Sequence, residues 1–133
     1  MNFFKILCLT TSALFIFLFF QLLLGPDSFV KDMGLQPSVA TSVLARRASM
    51  FMLGISILLF YSKGLPHSKA RQFISLSTGI TMTGLACTGI YEHFMGTVNA
   101  SIFIAITIET VLGLSFLILF FKGALRSQNG KAS

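Results

Sequence analysis

Four long apolar runs alternate with short polar breaks along the chain. The runs cover residues 3–24, 38–61, 71–94 and 99–121. A helix needs about 20 mostly apolar residues to cross the hydrocarbon core of a bilayer, and each run has that length. The pattern therefore predicts an all-α integral membrane protein, a four-helix transmembrane bundle that forms one domain and ends in a polar cytoplasmic tail over residues 122–133.

The first apolar run could be either a signal peptide or a membrane helix, and its length favours a membrane helix. The apolar stretch from Ile6 to Leu24 exceeds the roughly 7–15 residues of a signal-peptide core, and no A-x-A cleavage pattern follows it. The Gly25–Pro26 pair then favours a helix end. We therefore expect an uncleaved first membrane helix, followed over residues 27–37 by either a short interfacial helix or a polar loop.

The second run contains two adjacent arginines, Arg46 and Arg47. Pro37 and Ser38 favour a helix start before them, because proline suits the first turn and serine caps it. A helix from Ser38 to Tyr61 has 24 residues, whereas one that began after Arg47 would have 14. The shorter helix falls below the roughly 17–25 residues that a span requires. The sequence thus predicts both arginines inside the membrane helix.

The third run is rich in small residues. Those expected to pack against neighbouring helices are Ser75, Gly79, Thr83, Gly84 and Gly89. Apolar side chains gain little by leaving lipid for one another, so close backbone approach through small residues holds such bundles together. We therefore expect the third helix to be the most buried of the four.

A polar stripe shares one face of that third helix. Its members follow a spacing of 4, 3, 4 and 3 and are Ser77, Thr81, Gly84, Thr88 and Tyr91. The stripe either lines a small cavity facing Glu109 of the fourth helix or packs against a neighbouring helix. Packing is the favoured interpretation, because small and hydroxyl-bearing residues are common at membrane helix interfaces.

Composition and charge strengthen the membrane assignment. The chain is 54% hydrophobic and only 11% charged, whereas a soluble domain carries about 25% charged residues. The net charge of +6 would suggest nucleic acid in a soluble protein. Here the basic residues flank the apolar runs, so membrane lipids are the expected partners and nucleic acid is not.

The charges are distributed unevenly between the two ends of the predicted bundle. Seven of the ten basic residues fall at the end that holds both chain termini: Lys5, Lys63, Lys69, Arg71, Lys122, Arg126 and Lys131. All four acidic residues fall in the other half or within the membrane: Asp27, Asp32, Glu92 and Glu109. Basic residues concentrate on the cytoplasmic side of membrane proteins, so the sequence predicts that both termini lie in the cytoplasm.

A binding-site hypothesis follows from the depth of the charged residues. Arg46 lies roughly 12 Å below the outer end of the second helix and Glu109 roughly 15 Å below that of the fourth, at 1.5 Å per residue. An intramembrane arginine needs an acceptor, so we predict a contact between Glu109 and Arg46 or Arg47, with Glu92 and His93 nearby. Three interpretations stay open: arginines anchored to outer lipid phosphates, a structural ion pair, or a site for a ligand, ion or proton.

The sequence carries no recognisable redox, haem or metal motif. Cys8 and Cys87 form no CxxC pair, and their separation along the bundle argues against a disulfide, so both are predicted to be buried apolar residues. His67 and His93 are 26 residues apart and share no helical face as ligands. We therefore predict no cofactor, no metal and no catalytic residue.

The stretch Val43–Arg47, followed by Met52–Gly54, resembles a group of small bacterial four-helix membrane proteins that have no assigned activity. Their helix three is rich in small residues, as is the segment from Gly79 to Gly89 here, and the layout is also similar to that of DoxX-like proteins. The resemblance implies a multi-pass protein of the bacterial inner membrane and supplies no reaction.

Three functions are therefore carried forward from the sequence. The favoured one is a non-enzymatic accessory, assembly or self-associating protein, present as a homo-oligomer or within a larger membrane complex. The second is a small transporter or proton- or ion-coupled carrier that uses Glu109 with Arg46 or Arg47. The third is a membrane enzyme that acts on a lipid or a quinone.

Overall fold

Five helices make up the part of the chain that the computed structural model describes, residues 2–129 with side chains as far as Leu125. They are α1 (Phe3–Leu24), α2 (Pro26–Asp32), α3 (Val39–Ser62), α4 (Lys69–Phe94) and α5 (Ile102–Asn129). Four of these helices, all but α2, are long and apolar enough to cross a membrane. The described residues contain no strand. The prediction of a four-helix transmembrane bundle is confirmed.

Helix α1 lies at the centre of the packing. It contacts α2, α3 and α5, and 39% of its most apolar stretch is buried, against 28% for α4. The expectation that the third spanning helix is the most buried is therefore wrong, because α4 packs mainly against α5 alone. A cluster of buried apolar residues takes half of its members from α1 and consists of Phe4, Leu7, Cys8, Phe15, Leu59, Met82, Leu112 and Phe116.

The spanning helices form two closely packed pairs, α1 with α3 and α4 with α5. In the first pair, the Ser12 hydroxyl donates to the Ser56 carbonyl at 2.8 Å, and the Ser56 hydroxyl donates back to the Ser12 carbonyl at 2.9 Å. In the second pair, a Cβ added to Gly113 would lie 2.7 Å from the Thr83 hydroxyl oxygen. Small residues thus bring the backbones of both pairs into close approach.

The connector after α1 folds as the short helix α2, whose Pro26 and Val30 are buried. Gly34 follows it at a φ of +84°, in the left-handed region that glycine adopts readily. Asn99 Nδ2 and the Ser101 hydroxyl then donate to the Asp32 carbonyl at 3.0 and 2.7 Å. Helix α2 therefore ties the α1–α3 pair to the segment that leads into α5.

Two helix boundaries bear on the predicted elements. Ser38 caps α3 reciprocally with Thr41, and the helix continues to Ser62, so Arg46 and Arg47 do lie inside it. Helix α5 begins at Ile102 and runs to Asn129, past the predicted end at residue 121. The tail assigned to residues 122–133 is thus helical as far as Asn129, because a single glycine, Gly123, is not enough to stop a helix. The rest of that tail lies outside the described residues.

Candidate functional site

The charged side chains separate onto the two ends of the bundle. One end of the bundle holds α2, the end of α4 and the start of α5, and we call it the α2 end. The opposite end holds the start of α1, the loop between α3 and α4, the start of α4 and the end of the α5 span, and we call it the terminal end. The predicted site lies toward the α2 end.

Arg46 and Arg47 are both exposed on α3. Arg46 lines a groove of about 440 Å³ between α2 and the start of α3, together with Asp27 and Ser42. The Ser42 hydroxyl donates to the Asp27 carboxylate, which fastens α2 to α3 at this point. The arginines thus lie on the outside of the bundle.

Glu109 lies in a different groove, of about 340 Å³, which α1 and α5 form beneath α2. It is half-buried there, and Gln21 of α1 and Asp32 of α2 line the same groove. No ion pair in the described part of the chain joins Glu109 to Arg46 or Arg47. Helix α3 packs on α1 and α2, whereas α5 packs on α4 and α1, so α1 separates the arginines from the glutamate. The predicted contact is therefore not formed within one chain.

Glu92 and His93 lie where α4 turns toward α5, away from both grooves. The Thr97 hydroxyl donates to the Glu92 carboxylate, which is exposed. The His93 ring stands edge-on to Phe103 with 4.5 Å between centroids, and its Nδ1 atom has no hydrogen-bond partner among the described residues. The five residues of the predicted binding site are thus distributed over three places rather than gathered in one.

Four of the five residues expected to pack helices face other helices. Ser75 is 2% exposed, a Cβ added to Gly79 would lie 2.8 Å from the Leu117 side chain, and one added to Gly89 would lie 3.0 Å from Ile106. Thr83 is the residue that approaches Gly113. Gly84 is different, because it is exposed and a Cβ there would meet nothing within 4 Å.

The polar stripe of α4 points away from the bundle. All of its residues are exposed: Ser77, Thr81, Gly84, Thr88 and Tyr91. At 100° per residue this stripe lies opposite the buried side of α4, which includes Ser75 and Met82. Neither a cavity facing Glu109 nor packing inside the bundle accounts for it. Cys87, predicted to be buried, is exposed beside the stripe, while Cys8 is buried as expected.

The sequence reasoning missed Arg71, which is 9% exposed at the terminal end. Its guanidinium lies over the Phe4 ring, 4.3 Å from the centroid. The spacing from Arg71 to Ser75, Thr78 and Met82 is 4, 3 and 4, so Arg71 occupies the buried face of α4. That periodicity is the signal in the sequence that places Arg71 on the buried face, although its charge and position next to an apolar run are typical of a residue flanking the membrane.

Two adjoining cavities, of about 430 and 350 Å³, share Arg71 as part of their walls. Five basic or potentially basic side chains line the two cavities together: Lys5, Lys63, His67, Arg71 and Lys122. No acidic side chain lines either cavity. We call the two cavities together the Arg71 pocket.

Comparisons with known proteins give no indication of function. No protein-family model matches the chain, and neither a curated protein nor a solved structure is detectably similar to it. Among the described residues, no group of three His, Cys, Asp or Glu side chains is placed to hold a metal ion. The exposed stripe of α4 and the Arg71 pocket are therefore the two features that remain to be explained.

Proposed function

We propose that the protein is a non-enzymatic, self-associating component of the bacterial inner membrane, with both termini in the cytoplasm. The observation that supports this proposal is the outward-facing polar stripe of α4. Two copies of the chain associate through this stripe, with one α4 packed on the other. The homodimer is the unit that carries out the accessory or assembly role.

The spacing of the stripe is that of a helix–helix seam. Steps of 4 and 3 residues repeat every 3.5 residues on average, which keeps one face of a helix turned toward a partner that crosses it at about +20°. The stripe begins Ser77-x-x-x-Thr81 and continues Gly84-x-x-x-Thr88, so each pair places small residues one turn apart. Such a surface is poorly suited to lipid tails and well suited to another helix.

The stripe is also compatible with a second copy of itself. Its five residues carry no charge, so two identical stripes can meet without like-charge repulsion. A two-fold axis along the membrane normal would place Gly84 of one copy opposite the same region of its partner, as an isologous interface requires. The exposed Gly84, with nothing within 4 Å of an added Cβ, then allows the closest approach.

Cysteine crosslinking in native membranes tests this proposal. In a Cys87→Ser background, Gly84→Cys is expected to give a disulfide-linked dimer on mild oxidation, because disulfides need Cα atoms within about 7 Å. The matched control is Val111→Cys, which is exposed on α5 at a similar depth and should stay monomeric. Gly84→Leu should abolish the dimer in uncharged detergent. Equal crosslinking of both cysteines, or none at position 84, would refute self-association.

A carrier function is the second candidate, because Glu109 lies half-buried in the groove between α1 and α5. A carboxylate at membrane depth is costly and commonly marks an ion or proton pathway. Under this proposal Glu109→Gln folds with unchanged thermal stability but abolishes proton or cation flux in reconstituted vesicles. Unchanged flux in that variant would remove the carrier proposal without affecting the dimer.

A further inference from the structure

We propose that the Arg71 pocket binds a phosphate group, supplied by the head group of an anionic glycerophospholipid in the surrounding leaflet. Arg71 is buried at the terminal end of the bundle. An arginine keeps its charge, and Arg71 as a whole residue is only 9% exposed, so its charge requires compensation from its surroundings. The ring of Phe4 supplies part of it through a cation–π contact at 4.3 Å.

No carboxylate in the described part of the chain completes that compensation. Among the described residues, Arg71 forms no ion pair with an acidic side chain. The four acidic residues all lie toward the α2 end or within the membrane, on α2, at the end of α4 and on α5. The missing anion must therefore come from outside the described chain.

The pocket offers several groups to such an anion. Lys122 and His67 line the larger cavity with Arg71, and Lys5 and Lys63 line the smaller one. Arg71 is the third residue of α4, close to a helix start whose dipole favours negative charge. Its own backbone N–H donates to the capping Ser68 hydroxyl at 3.3 Å, so the side chain is the group that Arg71 offers. A phosphate has the charge and the acceptor oxygens that a guanidinium binds best.

Position and shape favour a lipid as the source of the phosphate. Arg71 lies roughly 3 Å from the start of α4 along the helix axis, which is near the level of lipid head groups. The larger cavity also has an apolar wall, formed in part by Phe3 and Leu125, which are 53% and 63% exposed. Acyl chains can run along that wall while the phosphate reaches Arg71. Basic pockets between membrane helices on the cytoplasmic side bind anionic lipids in this way.

The test uses the full chain purified in an uncharged detergent, with bound lipid counted by native mass spectrometry. The wild type is expected to retain phosphatidylglycerol in preference to phosphatidylcholine when both are offered in equal amounts. Arg71→Gln should bind phosphatidylglycerol roughly tenfold more weakly, the effect of losing one charge-assisted hydrogen bond. Arg47→Gln removes the same charge from an exposed site near the other end and should change nothing.

A second variant keeps the proposal testable if Arg71→Gln does not fold. Lys122 is exposed at the rim of the pocket, so Lys122→Gln should fold normally and still weaken retention of phosphatidylglycerol. Equal retention by the wild type and a folded Arg71→Gln would overturn the proposal. If Arg71→Gln does not fold, equal retention by the wild type and Lys122→Gln would overturn it.

A further experiment distinguishes a lipid head group from free inorganic phosphate as the bound group. Inorganic phosphate is added to delipidated protein, and the melting temperature is measured. No shift is expected, because free phosphate has no acyl chains to place on the apolar wall. A shift that the wild type shows and Lys122→Gln lacks would retain the phosphate site but overturn the lipid as its source.

Discussion

At the scale of single residues, Arg46, Arg47 and Arg71 show that the position of a residue along a helix and the direction in which its side chain faces are separate properties. Arg46 and Arg47 lie within α3 and are exposed, whereas Arg71 lies near the start of α4 and is 9% exposed. Position along a helix can be counted from the sequence, and Arg46 does lie inside α3, as that count predicts. Which way a side chain faces depends on the neighbouring helix, and α1 stands between Arg46 and Glu109.

The reciprocal bonds between Ser12 and Ser56 lead to a prediction at this scale. Ser56→Ala removes one of the two hydroxyls that link α1 to α3 and should lower the free energy of unfolding by roughly 0.6–1.7 kcal/mol. Reversible unfolding in mixed micelles measures the change. Because the two serines share one network, the double variant with Ser12→Ala should cost less than the sum of the single variants. The exposed Ser77→Ala serves as the control, and an equal loss there would contradict the prediction.

At the scale of helices, the existence and the length of each span follow from its apolar run. The packed face of α4 was predicted in part from its small residues, and Gly79 and Thr83 do approach α5. The polar stripe could not be oriented in this way, because a helix with small residues on two sides has no single preferred interface. Only the contact with α5 shows that the stripe is the outer side.

Gly113 provides a prediction for the contact between α4 and α5. In Gly113→Ala the new Cβ would lie 2.7 Å from the Thr83 hydroxyl oxygen and 3.0 Å from the Thr83 backbone nitrogen, which cannot move freely. We expect a loss of about 1–3 kcal/mol in the free energy of unfolding, the usual cost of overpacking.

The matched control for that substitution is Gly54→Ala on α3. Gly54 is exposed, and a Cβ there would meet nothing within 4 Å. Alanine favours the helix over glycine by up to about 1 kcal/mol, so this variant should be neutral or slightly more stable. The same unfolding assay in mixed micelles applies, and similar losses in both variants would show that the close contact at Gly113 is not the cause.

At the scale of the whole molecule, the charge asymmetry predicts orientation. Lys31 lies at the α2 end and His67 in the loop at the terminal end, so a reagent that cannot cross the membrane distinguishes them. In a Cys87→Ser background, Lys31→Cys should be labelled in intact cells, and His67→Cys only after the cells are permeabilised. The basic residues of the terminal end give the physical reason, because they favour retention in the cytoplasm. Labelling of position 67 from outside an intact cell would contradict this prediction and indicate the opposite orientation.

The sequence by itself determined that this chain is a bundle of four membrane helices, because bilayer thickness fixes the length of an apolar run. It also placed Arg46 and Arg47 inside a helix, since the remaining run was too short to span alone. The tertiary structure decided which side of each helix is covered. It placed Glu109 in a groove away from the arginines, turned the stripe of α4 outward and enclosed Arg71 at the terminal end. Those outcomes depend on which helices are neighbours, and in lipid the apolar pattern of a single helix leaves its neighbours undetermined.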